Sequence, residues 1–176
     1  MRLPGPVDYP ADKLAIAKET SLRPITSPLS LRPVRPYLPA MRTLSDIAEE
    51  YDFLEGDERY RLLIELGREL EPMPDALKTD ATLVRGCSAQ VWVYPTGNSA
   101  RLHFLADSNA AITKGIVALV ISAVQDKPAA EVARMDITAA LAPFDLKNQL
   151  SSNRTQGVPN MIALVKEHAA RIAENA

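Results

Sequence analysis

Gly86-Cys87-Ser88-Ala89-Gln90-Val91-Trp92-Val93-Tyr94-Pro95-Thr96-Gly97-Asn98-Ser99-Ala100-Arg101-Leu102-His103-Phe104-Leu105-Ala106 holds the chain's clearest strand signal and its single cysteine. Gln90–Tyr94 is dense in β-branched and aromatic residues and reads as a strand. Pro95–Ser99 is a turn, and Arg101–Ala106 is the returning strand of a hairpin. The segments on both sides carry helical spacing instead. The expected order is helices, a small antiparallel β-sheet, then several helices packed against it, which is an α+β fold.

Upstream of the hairpin, Leu44, Ile47, Ala48, Tyr51 and Leu54 recur at helical intervals, with Thr43 or Ser45 as cap. Gly56 breaks the pattern. Asp57 is expected to cap a second helix with an apolar stripe of Leu62, Leu63, Leu66 and Leu70. Asp75–Leu77 reads as one short turn of helix, and Lys78–Leu83 as a loop leading toward Cys87. Downstream, Asp107 or Ser108 is expected to cap a helix carrying Ile112, Ile116, Leu119, Val120 and Ala123, apolar on most sides and so central. Pro128 is placed at the first position of a shorter helix. Thr138 caps another short helix, ending near Leu146. Leu150–Gly157 is a polar loop before a last amphipathic helix with Met161, Ile162, Leu164, Val165 and Ile172. Trp92 is assigned to the core for its large apolar face. Gly115 is assigned to close helix packing.

Residues 1–40 differ in kind. They hold eight of the 14 prolines and show no sustained period. Proline removes a backbone donor and blocks helix interiors, so this arm is expected to be disordered. It carries six basic and three acidic residues, a net of +3, which leaves −5 for residues 41–176 out of the total of −2. Its acidic residues fit poorly with an organelle transit peptide, and it lacks the apolar stretch of a secretory signal. The arm reads as an extension of a domain spanning 41–176. No broad basic field marks a nucleic-acid partner, and no apolar run reaches the roughly 18 residues a membrane span needs. A lone thiol without a disulfide framework fits a reducing, cytoplasmic setting.

Cys87 has no second cysteine with which to form a disulfide, a redox pair or a multi-thiolate metal site. Gly86 frees the backbone before it. Arg85 places a cation nearby, an arrangement expected to favour thiolate. Several roles stay open at this point: a nucleophile in a hydrolase or acyltransferase with His103 as base, a carrier of sulfur as persulfide, one ligand of a shared metal site, or a packing residue in an interaction module. Hydrolysis needs a base, and the histidines are His103 and His168. Sulfur exchange needs only an accessible nucleophilic sulfur and a donor.

Arg85-Gly86-Cys87-Ser88-Ala89-Gln90-Val91-Trp92 resembles the cysteine motif of SufE-type sulfur acceptors. Tyr60–Gly67 is similar to the family's second-helix signature, and Asp107–Gly115 to the stretch after its hairpin. Asn153-Arg154-Thr155-Gln156-Gly157 is similar to its entry to the last helix. The four stretches occur in family order. The resemblance implies a SufE/IscU-like α+β fold without cluster-binding cysteines. It implies a protein with no cofactor of its own, a monomer or weak homodimer, working in iron–sulfur cluster assembly. Its implied partners are a pyridoxal-phosphate (PLP) cysteine desulfurase, whose turnover it stimulates, and an Fe–S scaffold complex that receives the sulfur. Cys87 is then the persulfide acceptor, with Arg85, Gly86, Gln90, Asp107, Asn109 and Arg154 supporting it or meeting the partner. Asn109 stands where relatives often carry Asp, removing a charge. Asn153 stands where they often carry Ser and still suits a helix cap.

Overall fold

The computed structural model describes residues 42–176, without the side chains of Gln149, Asn153 and Arg154. The boundary drawn at residue 40 and the disorder expected before it lie outside the described residues.

Helix α1 spans Leu44–Phe53 and opens on a reciprocal capping box. The Thr43 hydroxyl accepts from the Asp46 N–H at 3.2 Å, while the Asp46 carboxylate accepts from the Thr43 N–H at 3.3 Å. Helix α2 spans Asp57–Glu69. Gly56, not Asp57, is its cap residue, at φ 51°, and Asp57 is the first helical residue, where its charge suits the positive end of the helix dipole. Leu62, Leu63, Leu66 and Leu70 are buried as their spacing requires. A single 3-10 turn covers Asp75–Leu77.

The sheet has two antiparallel strands, β1 (Val91–Gly97) and β2 (Leu102–Ser108), in register from Val91 opposite Ser108 to Gly97 opposite Leu102. Both strands run further than the sequence suggests. β1 continues through Pro95 because that residue faces Phe104, whose N–H and C=O bond the Gln125 amide at 2.9 and 3.2 Å instead of β1. The proline nitrogen therefore falls on a pair that exchanges no ladder bond. The turn is confined to residues 98–101. Val91, Val93, Phe104 and Ala106 fill the core face. Trp92 is on the opposite face and only half-buried, which corrects its assignment to the core.

Neither sheet edge is left bare. Beyond β2, Leu102 bonds the backbone of Asp126 and Lys127. Beyond β1, Val84 N donates to Val91 O at 2.8 Å and Val93 N donates to Thr82 O at 2.9 Å. What reads as a plain loop from Lys78 to Leu83 thus ends as a fragment of a third strand. This pairing pins both stems of the segment carrying Cys87.

Helix α3 spans Ala111–Val124, and every residue from Gly115 to Ile121 is buried. It packs on α2 so closely that a β-carbon at Gly115 would overlap the Leu63 carbonyl oxygen, so Gly115 serves packing as expected. Asp107 and Ser108 do not cap α3. They are the last residues of β2, and the helix starts from Ala110 without a side-chain cap. Helix α4 (Ala129–Arg134) follows Pro128, which is its cap and not its first residue. The cap of α5 (Ile137–Ala140) is Asp136, whose carboxylate accepts from Ala139 N at 2.9 Å, and Thr138 lies inside the helix. A 3-10 turn (Ala142–Phe144) and two short helices, α6 (Leu146–Gln149) and α7 (Ser152–Thr155), lead to α8 (Val158–Glu174). Residues 150–157 therefore hold a helical turn. Gly157, not Asn153, stands at the cap position of α8. Met161, Val165 and Ala169 are the buried face of α8.

Candidate functional site

Residues 85–90 form an arch between Val84 and β1. Gly86 sits near the apex of its first half at φ 80°, a conformation that side-chain-bearing residues rarely adopt. The last half is tied down at Gln90. Gln90 N donates to Asn109 Oδ1 at 3.0 Å, Asn109 Nδ2 donates to Gln90 Oε1 at 3.2 Å, and Ser108 Oγ donates to Gln90 O at 2.8 Å. The first half is tied to α8, where Asn160 Nδ2 donates to Arg85 O at 2.9 Å.

Between these ties, Cys87 is half-buried and leans on the start of α8. A β-carbon placed on Gly157 would overlap Cys87 Sγ and lie 3.0 Å from Cys87 Cβ. Cys87, with Ser88 and Ala89, lines a cavity of about 10 Å³ whose other walls are Thr113 and Ile116 of α3 and Gly157, Val158 and Met161. That is room for about one water-sized guest. Ser88 and Ala89 also line an open groove of about 530 Å³, together with residues 110–113 and Ser151.

Burial pushes the Cys87 thiol above its ordinary pKa. This corrects the expectation that Arg85 lowers it. The Arg85 side chain is exposed, and a cation in water does not offset the cost of ionising a sulfur enclosed by protein. As seated, Cys87 is half-buried, and its burial favours the protonated thiol over the thiolate.

Of the other residues marked in the sequence, Gln90 and Asn109 meet directly, and Arg85 and Gly86 build the arch. Asp107 is turned elsewhere. Its carboxylate accepts from Lys114 Nζ at 2.7 Å and Lys78 Nζ at 2.8 Å. Burial alone raises its pKa, but the two lysines outweigh that and hold it below the usual carboxylate range. Asp107 thus joins β2, α3 and the Lys78 turn, and does not touch the arch. Arg154 lies in α7, shortly before the cap of α8, and its side chain is not among those described. Ser108 is read in the sequence only as a helix cap, and its bond to Gln90 is not foreseen; Asn160 carries no mark in the sequence. The Asn160 bond spans 75 residues of sequence, and no local pattern announces it.

His103 is not placed to act on Cys87. It pairs with Thr96 at the far end of β2, roughly 15 Å along the strand from Ser108. Its ring nitrogens face Glu71 at 2.8 Å and Asp126 at 3.1 Å. His168, half-buried on α8, has Nδ1 beside Arg171 Nη2 at 2.8 Å. Among the described residues no cluster of three His, Cys, Asp or Glu side chains could hold a metal ion, and no helix is long and apolar enough to cross a membrane.

The SufE, Fe–S metabolism associated, domain matches residues 45–169. The chain is 37% identical over 134 residues to an uncharacterized SufE-like protein of Rhizobium meliloti (strain 1021), covering 73% of this chain and 96% of the relative. It is 37% identical over 103 residues to the sulfur acceptor protein CsdE of Escherichia coli (strain K12), covering 58% and 70% of the two chains. It is 30% identical over 114 residues to the cysteine desulfuration protein SufE of Wigglesworthia glossinidia brevipalpis, covering 64% and 79%. In structure it is similar to a hypothetical protein from Thermus thermophilus, with a TM-score of 0.62 over 76% of this chain and 96% of the other. At 14% identity that likeness concerns the fold. With the family domain spanning the arch, the hairpin and α8 alike, this chain belongs to the SufE family.

Proposed function

We propose that this protein accepts sulfur on Cys87 from a cysteine desulfurase and passes it to an Fe–S scaffold complex, accelerating the desulfurase as it unloads it. The observation that carries the reading is the seat of Cys87. The chain's one thiol sits half-buried on an arch tied at both stems, with no base or metal-ligand cluster beside it among the described residues. Such a thiol suits transfer between proteins better than turnover of a small substrate. A hydrolase needs a base within hydrogen-bond reach, and His103 is held by carboxylates at the other end of the hairpin.

The chemistry requires only the thiolate of Cys87 and a donor persulfide. Cys87 Sγ attacks the outer, sulfane sulfur, forming one S–S bond while the donor's own S–S bond breaks. The electron pair leaves on the donor's cysteine, which picks up a proton, so nothing is oxidised or reduced overall. The PLP belongs to the desulfurase, where it generates that persulfide from free cysteine. The groove beside Ser88 and Ala89 offers an approach for the donor's persulfide-bearing segment. A new persulfide is easily oxidised, and the protein wall around Cys87 suits its shelter.

The test is incubation with the cysteine desulfurase, PLP and ³⁵S-labelled cysteine under reductant-free conditions. Label should appear at residue 87, be released by dithiothreitol, and be absent from Cys87→Ser, which should also fail to accelerate sulfide production. A Cys87→Ser protein that still accepts label and still accelerates the desulfurase would overturn the proposal.

A further inference from the structure

We infer that Asn160 is a positioning residue that latches the Cys87 arch onto α8 and so sets how often the thiol is presented. This deepens the acceptor reading, on which its biological meaning rests, by naming what regulates the same site.

The two stems of the arch are held unequally. At Gln90 the Asn109 side chain supplies two bonds and Ser108 Oγ a third. At Arg85 the side-chain tie is the Asn160 amide on the carbonyl, at 2.9 Å. Gly86 is shaped to that tie, because a β-carbon there would overlap Asn160 Nδ2. The left-handed backbone at Gly86 aims the Arg85 carbonyl at α8, and the missing side chain lets the amide reach it. Asn160 lies one turn from Gly157, whose bare α-carbon receives the sulfur. The first turn of α8 thus seats the arch in two ways, sterically at Gly157 and by a hydrogen bond at Asn160. Asn160 is itself exposed, so the fold does not need it for packing. Losing the bond costs the seated state and leaves the core as it is. One exposed hydrogen bond corresponds to a shift of roughly two- to tenfold in the seated-to-released ratio.

The measurement is the rate of Cys87 alkylation by iodoacetamide on the full chain, with thermal unfolding and backbone hydrogen exchange of α3 recorded alongside. Asn160→Ala should alkylate roughly two- to tenfold faster than the parent, with unfolding temperature and α3 exchange unchanged. Asn160→Asp, which sets a carboxylate oxygen against the Arg85 carbonyl, should be at least as fast. Gly86→Ala should alkylate faster too, and Asn160→Ala should add little on top of it, since both break one contact. Asn160→Ala and Asn160→Asp rates equal to the parent would overturn the latch, as would rises that track faster α3 exchange. Alkylation needs no desulfurase. A failed latch therefore leaves label transfer to residue 87 standing, and failed label transfer leaves the latch standing.

Discussion

Cys87 Sγ occupies the space that a β-carbon on Gly157 would fill, and Cys87 Cα lies only 3.1 Å from the same point. The seat of the thiol is therefore made by an absence, and a single methyl closes it.

Gly157→Ala is the direct consequence. The arch cannot stay seated over the new methyl, because the sulfur, β-carbon and backbone of Cys87 all crowd it. Overpacking of this kind costs about 1–3 kcal/mol, or roughly 5- to 160-fold in the seated population. The arch is peripheral, so the cost falls on its placement and not on the core. Cys87 alkylation should be at least about fivefold faster in the variant, with an unfolding transition as cooperative as the parent's. Equal rates would show that the sulfur is presented without leaving Gly157.

The pH dependence of the same reaction has a definite sign. Burial raises the Cys87 pKa in the folded protein, so the folded state holds this proton more tightly than the unfolded chain. The stability linked to that proton is fully present below the ordinary thiol value of about 8.5 and is lost as pH rises through the raised folded value. Alkylation of the native protein should therefore inflect at higher pH than alkylation of the urea-unfolded chain. In Gly157→Ala, where the sulfur is released to water, the inflection should move back toward the unfolded one. A native inflection below the unfolded value would mean that Arg85 governs the thiol after all.

Most of this fold is legible in one sequence because its signals are local. The α1 cap, the α2 leucine stripe and the all-round apolar α3 each lie within a few turns of chain. The errors fall where distant chain decides. Pro95 reads as a turn residue until Gln125 is seen to occupy the bonds of its partner Phe104. Asp107 looks like a helix cap until Lys78 and Lys114 claim its carboxylate. Arg85 reads as an activator of the thiol because charge is visible in sequence and burial is not. At the site, the residues flanking Cys87 are legible and its wall is not: Gly157 belongs to a stretch singled out in the sequence, but its contact with Cys87 is not foreseen, and Asn160 arrives from α8 some 70 residues later without any mark.

Gly115→Ala tests the contact between α2 and α3 that carries the site's floor. Its new methyl would meet the Leu63 carbonyl and α-carbon, both backbone atoms that cannot rotate aside. The helices must separate, at about 1–3 kcal/mol, equivalent to a fall of roughly 3–12 °C in unfolding temperature. Calorimetry should show this loss with the same cooperative transition. An unchanged transition would place the two helices further apart than described.

Asn109 and Gln90 supply the last test, because an exchange of Asn for Asp at position 109 has a physical reading here. Asn109 Oδ1 accepts from Gln90 N, an interaction that a carboxylate oxygen makes equally well. Asn109 Nδ2 donates to Gln90 Oε1, and on replacement by Asp the Gln90 amide can turn its NH₂ toward the carboxylate instead. Both pairings then survive, and so do the bonds to Gln90 O from Ser108 Oγ at 2.8 Å and Asn109 N at 3.3 Å. Asn109→Asp should therefore keep Cys87 alkylation within about twofold of the parent. Asn109→Ala loses both side-chain bonds, each worth about 0.5–1.5 kcal/mol, and should alkylate at least about twofold faster. If Asn109→Asp is the faster of the two, charge at this position opens the arch, and the neutral residue in this chain acts to keep Cys87 seated.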